Sequence, residues 1–335
     1  MERERDVPGD ADRWRLDVLG IGEPMVEFNE AGNQVAGSGH GQGQGQGGPY
    51  YLQGFGGDTA NAVIAAARQG AATGYWTRLG DDVFGDRLLG LWAAESVDAR
   101  HVVRDADAPT GIYFVTHGDG GHAFTYYRRG SAASRMRPAD LPMEAIASAR
   151  VLHVSGISQA IGDGACDTVF AAIDAARAAG SRVSYDTNLR LKLWPLARAR
   201  AVTLETVALA DVCLPSLEDA EQLTGMRDPE AIVDALLGRG AGVVALKLGS
   251  EGVLVADGHE RHRVAGHEVT AVDATGAGDT FDGAFLAEWL RGVSLLDAAR
   301  YANAAAALST QGYGAVGPIP RRAEVEAFLA GCVPE

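Results

Sequence analysis

At 335 residues and 47% apolar composition, the chain is long enough to bury a substantial core, as one large α/β domain or two of ordinary size. A net charge of −15 with no basic run argues against a nucleic-acid partner, and no apolar stretch approaches the 18 residues a membrane span needs. Cys166, Cys213 and Cys332 are odd in number, far apart and without CxxC or Cys/His spacing, which points to reduced, inert thiols. The charged start, residues 1–14, has no apolar signal region and reads as a tail on a cytoplasmic protein.

Residues 15–330 then read as one domain. Leu16–Gly20 is a strand, followed by a β-prone region at about 24–56 that a Gly/Gln-rich stretch, 37–48, interrupts as a flexible, solvated loop. Glycines at Gly54–Gly57 lead into an alanine-rich helix that ends at Gly70, with Asp58 or Thr59 as its expected N-cap. Ile112–Thr116 and Ala123–Arg128 are strands of a hairpin turned at Gly118–Gly121. These two regions, about 24–56 and 110–135, read as an antiparallel accessory layer, the pattern of a β-lid over a cleft.

From Val151 onward short apolar runs alternate with helices, as in a parallel sheet: Val151–Ser155, the helix Asp167–Ala179, Arg182–Tyr185, Asp211–Leu214, the helix Ser216–Leu223, and Val243–Leu248. The helix from about Asp279 places Phe281, Phe285, Leu286, Trp289 and Leu290 on one face, so an amphipathic helix is expected.

Asp273-Ala274-Thr275-Gly276-Ala277-Gly278-Asp279 opens that helix. Small residues let a ligand approach the backbone, and the free amides of a helix start favour an anion. A carboxylate at an anion site makes sense if Asp279 takes a proton from an attacking hydroxyl, and the helix N-terminus is expected to keep it ionised. A tight turn whose first acid complements the helix dipole would use the same residues. The Gly57 turn can bring amides against a polyhydroxy ligand, with Asn61 adding a donor and an acceptor.

Together these segments, with Arg78–Gly85, Asp186-Thr187-Asn188 and Leu246–Gly249 between them, occur in the order of the PfkB-type sugar kinases, and the chain resembles that ribokinase-like family from about Leu16 to Leu329. The resemblance implies a three-layer α/β/α domain with a small β-sheet lid, ATP and Mg2+ in the large domain, and a sugar under the lid. It implies Asp279 as the base and the amides of Gly276, Ala277 and Gly278 as the anion hole. Ser216, Lys247, Gly249, Gly252 and Asn303 fall at nucleotide-side positions. Asp219 falls where the family has a glutamate linked to magnesium, acting here through water, although Ser216 and Asp219 also make a plain capping box.

On the strand Phe124–Arg128, alternation puts Tyr126 and Arg128 on one face and Tyr127 on the other. Arg128 is expected to meet an anion, and Arg190 lies near the end of a strand, where α/β sheets place ligand contacts. Two arginines suit the carboxylate of a sugar acid. The Tyr-Tyr-Arg-x-x-Ser-Ala pattern resembles the 2-keto-3-deoxygluconate kinase subgroup, which implies a substrate set of Gly57, Asn61, Tyr113, Tyr126, Arg128 and Arg190. The expected partners are therefore a small-molecule sugar acid and ATP, with a homo-oligomer open. The alternatives are a sister kinase for fructose, ribose or another keto-sugar, and a non-catalytic sugar- or nucleotide-binding protein. A dinucleotide-dependent dehydrogenase is disfavoured because Gly20-Ile21-Gly22-Glu23-Pro24 runs into proline where Gly-x-Gly-x-x-Gly would continue.

Overall fold

A computed structural model describes residues 15–31, 50–118 and 121–331; the tail 1–14, the Gly/Gln-rich stretch 37–48 and Cys332 lie outside the described residues. The chain begins β1 (Leu16–Ile21), β2 (Met25–Ala31), β3 (Tyr50–Gly56), α1 (Asp58–Arg68), β4 (Thr73–Trp76), β5 (Arg78–Gly80) and α2 (Val83–Ala94). It continues with β6 (Val103–Asp105), β7 (Ile112–Gly118), β8 (Gly121–Tyr127), β9 (Ala149–Ser155), α3 (Asp163–Ala179), β10 (Arg182–Asp186) and α4 (Leu196–Val207). The remainder is β11 (Val212–Cys213), α5 (Leu217–Thr224), α6 (Pro229–Arg239), β12 (Val243–Lys247), β13 (Val253–Ala256), β14 (Arg261–Val264), α7 (Ala277–Leu290), α8 (Leu295–Ser309) and α9 (Arg322–Leu329).

The main sheet runs β14-β13-β12-β11-β10-β9-β1-β4. It is parallel from β12 to β4, and β13 and β14 are antiparallel additions at one edge. Its strands are apolar runs because both faces are covered. Val18, Val151, Val243 and Val255 face one core with Val63 of α1, Phe285 of α7 and Ala302 of α8. Their neighbours Leu19, Leu152, Val244 and Leu254 face the other, with Val169 of α3 and Ile232 of α6. The result is the three-layer α/β/α domain of the ribokinase-like fold, and among the described residues no helix is long and apolar enough to cross a membrane.

The lid is a separate four-stranded sheet in the order β3-β2-β7-β8. Its two hairpins are antiparallel, but β2 and β7 pair parallel, which corrects the expected antiparallel layer. The physical reason is the path of the chain: between β2 and β7 it passes through α1 and α2 of the large domain and returns in the same direction, as a parallel pair requires. Tyr113 stands opposite Tyr126, ring centroids 5.6 Å apart, and both line the cleft face. Tyr127 instead packs edge-on against Phe114.

Helix α7 also departs from expectation. Residues 280–288 are buried almost without interruption, so the helix is enclosed rather than amphipathic. Its two buried acids are tolerated inside because each has a cation: Asp282 pairs with Lys247, and Glu288 with Arg322.

Candidate active site

The C-terminal ends of β10 and β12 and the start of α7 converge on one point. Gly276 caps α7 in the left-handed conformation, φ 77°, which glycine adopts without strain, and the chain turns there so that Asp279 enters the first helical turn. The amides of Gly278 and Asp279 have no helical carbonyl to reach, which leaves them for a ligand. The Asn61 side-chain amide donates to Asp279 Oδ2 at 2.7 Å. Oxygens of Asp186, Asp279 and Asp282 lie within 4.8 Å of one another. Lys247 Nζ donates to both oxygens of Asp282, at 2.9 and 3.0 Å, and to Asp186 at 3.3 Å.

Burial works against the charge on Lys247, but Asp186 and Asp282 outweigh it and hold its pKa above the usual lysine value. Asp279 goes the other way from what its place on a helix suggests. Burial first, and then the charges of Asp58 and Asp186, push its pKa up to about 7, against the opposing effects of the Asn61 hydrogen bond and Lys247. The helix terminus is too weak to offset desolvation among like charges.

A cleft of about 1250 Å³ opens above these groups, beyond the roughly 300–1,000 Å³ of a single small-ligand pocket, so it has room for two ligands side by side. Gly57, Asn61, Tyr113, Tyr126, Arg128 and Arg190 are among its lining residues, as are Ser216, Asp219, Lys247, Gly249, Gly276, Gly278 and Asp279. Gly57, at φ 121°, has no room for a side chain, since a Cβ there would come within 2.6 Å of the Glu23 carbonyl oxygen. It is also the N-cap of α1, and Asp58 and Thr59 sit inside the helix rather than capping it. Among the described residues Asn61 Oδ1 and Asn188 Oδ1 are buried acceptors without a donor, on two residues that line the cleft; hydroxyl groups of a polyol supply such donors.

Three of the sequence candidates lie outside the lining. The Ala277 amide donates to the Ala274 carbonyl at 3.2 Å, Gly252 sits in the β12–β13 turn with its amide on the Gly249 carbonyl at 3.1 Å, and the Asn303 amide donates to the Ala265 carbonyl at 2.7 Å. Ser216 caps α5 by accepting from the Asp219 amide at 3.1 Å. The Asp219 carboxylate turns away from a reciprocal cap to accept from the Leu189 amide at 2.9 Å.

Arg128 is not the free cation that its strand position suggests. Its Nε donates to Glu23 Oε2 at 2.6 Å and its Nη2 is ion-paired with the same oxygen, while Ser131 Oγ bonds Glu23 Oε1. Arg190 makes no ion pair among the described residues; its Nη1 bonds only the Leu189 carbonyl, at 3.0 Å. Sequence reasoning did not assign Glu23, Asp58, Asp186, Asn188 or Asp282 to the site. Asp186 and Asn188 belong to the Asp186-Thr187-Asn188 segment already noted in the sequence, and Asn188 lies in the left-handed region at φ 28° just after the strand end.

Residues 18–322 match the sequence pattern described as pfkB family carbohydrate kinase. The chain belongs to that family. This carbohydrate kinase is 34% identical over 322 residues to a 2-dehydro-3-deoxygluconokinase of Bacillus subtilis (strain 168), covering 94% of this chain and 96% of the relative. It is also 34% identical over 320 residues to fructokinase-1 of Oryza sativa subsp. japonica, covering 92% and 96%. An E. coli protein described as a ribokinase II, solved in complex with ATP and Mg2+, superposes with a TM-score of 0.83 at 27% identity, over 94% of this kinase and 99% of that chain.

Proposed function

We propose that this kinase transfers the terminal phosphoryl group of ATP to the 6-hydroxyl of a sugar acid of the 2-keto-3-deoxygluconate type. The observation that carries the substrate choice is Arg190, a guanidinium lining the sugar end of the cleft with no carboxylate partner among the described residues. A neutral sugar would leave that charge unused, whereas a carboxylate matches its fork of donors. Tyr113, Tyr126 and the Gly57 turn enclose the same end.

Asp279 accepts the proton of the attacking hydroxyl while the new O–P bond forms and the bond to ADP breaks. Asn61 holds one of its oxygens and so orients the other. The amides of Gly278 and Asp279 and the ammonium of Lys247, which lies 3.5 Å from where a Cβ on Gly278 would stand, meet the developing charge. Mg2+ fits the donors present: Asp186 and Asp219 line the cleft with carboxylate oxygens, the hard ligands it takes, and would hold it where it neutralises nucleotide phosphate charge.

A second reading, a fructose kinase, draws support from the Arg128–Glu23 pair, which removes one of the two cations first expected to meet the acid. Release of ADP, measured with ATP and Mg2+ across a panel of sugar acids and neutral sugars, decides between them. Turnover of fructose with none of 2-keto-3-deoxygluconate would overturn the sugar-acid reading.

A further inference from the structure

Glu23 lies in the turn between β1 and β2, is 1% exposed, and does not line the cleft. Its carboxylate is nevertheless committed to the wall of the sugar end. Oε2 accepts from Nε of Arg128 and stands in ion-pair contact with its Nη2, and Oε1 accepts from the Ser131 hydroxyl. The Arg128 side chain is 11% exposed, its guanidinium carbon lies 5.9 Å from the centroid of the Tyr126 ring, and its Nη2, though in ion-pair contact with Glu23, makes no well-aligned hydrogen bond among the described residues. The residue thus lines the cleft while Glu23 offsets its charge.

We infer that Glu23 is a specificity-determining positioning residue, acting through Arg128: it sets the charge of the sugar end and restrains the cleft from trapping any passing anion. Two opposite charges in contact at a partly buried site interact strongly, so cancelling the guanidinium charge lowers the field a ligand carboxylate feels. What remains of Arg128 is a directional donor, which rewards a hydroxyl or carboxylate oxygen only in the right place. Arg190, which makes no ion pair among the described residues, remains to meet the charge of an acid. Division of labour between a neutralised and a free arginine lets the pocket select by shape without losing the acid.

Glu23→Gln isolates the charge. Glutamine is nearly isosteric, its oxygen still accepts from Arg128 and its amide nitrogen can donate to Ser131 Oγ, so the fold has what it needs. Glu23→Asp keeps the charge and changes the reach. The inference rests on the sugar-acid reading for its first readout, the ratio of kcat/KM for 2-keto-3-deoxygluconate to that for fructose. In Glu23→Gln this ratio is expected to rise on the order of tenfold or more, with KM for ATP unchanged, and in Glu23→Asp to stay near the wild-type value. If wild-type enzyme turns over no sugar acid, that reading fails by itself. Glu23 is then tested with pyruvate as a carboxylate probe, whose competitive inhibition against the accepted neutral sugar should tighten by the same factor in Glu23→Gln. An unchanged or lower ratio, or unchanged pyruvate inhibition, in a variant whose thermal midpoint and KM for ATP match wild type overturns the inference. So does a Glu23→Asp variant that shifts as far as Glu23→Gln.

Discussion

Asn61 and Asp279, 218 positions apart, meet in a 2.7 Å hydrogen bond that joins the start of α1 to the start of α7. Because α1 follows directly on lid strand β3, the contact ties the geometry of the base to the element that turns down from the lid. Asp279→Asn should leave sugar and ATP binding nearly intact and lower kcat by about 10²-fold or more, the usual scale for a lost general base. Single-turnover kinetics with separate binding titrations check it; retained turnover removes Asp279 from the mechanism.

The pKa of Asp279, pushed up to about 7, fixes the acid side of the pH profile. The base must be ionised, and kcat/KM reports the free enzyme. A plot of log kcat/KM against pH should therefore rise with unit slope below about 7 and flatten above it. A limb near pH 4 would mean that burial and the charges of Asp58 and Asp186 do not perturb this carboxyl in solution.

The same shift has a consequence for stability, opposite in sign to that of a salt-bridged aspartate. A carboxyl with pKa about 4 in the unfolded chain and about 7 in the folded one holds its proton more tightly when folded. Its contribution to stability is full below pH 4 and is lost as pH rises through 7. Asp279→Asn has no such loss. Its thermal midpoint should exceed that of wild type by about 2 °C or more at pH 8, with the difference shrinking toward pH 4. Differential scanning calorimetry at several pH values checks both the sign and the trend.

Lys247 stands between two buried carboxylates, Asp186 and Asp282. Replacing it with methionine keeps the length of the chain but leaves those charges uncompensated, a change that costs about 3–5 kcal/mol when one partner of a buried pair is removed. Urea unfolding of Lys247→Met should show that loss, and the acid limb set by Asp279 should move upward, since Lys247 is one of the groups holding it down.

The parts of the site that were legible in the sequence were the local ones. Asp273–Asp279 states its turn and its helix start in seven residues, and Phe124–Arg128 states by alternation which side chains share a face. What could not be read was pairing at a distance. Glu23 looks like any charged residue in a Gly/Pro turn until Arg128, 105 positions later and just past the end of β8, is laid on it. Asp282 sits on a helix whose apolar spacing predicts a solvent-facing polar side; only the arrival of Lys247 from β12 shows that the side is buried. The parallel β2–β7 pair was hidden for the same reason, because strand direction depends on the whole path between the strands and not on either sequence.

That long-range pairing also decides which arginine can be used to test the substrate. Arg128→Ala would strand the buried carboxylate of Glu23, and a raised KM would then report a damaged lid as readily as a lost substrate contact. Arg190 has no such partner. Arg190→Ala should leave the thermal midpoint and KM for ATP at wild-type values while raising KM for 2-keto-3-deoxygluconate by about tenfold or more, the scale of a charge-assisted hydrogen bond. KM for any neutral sugar accepted by the enzyme should not move. Equal losses on acid and neutral sugars would show that Arg190 shapes the cleft without reading the carboxylate, and the acid assignment would lose its principal support.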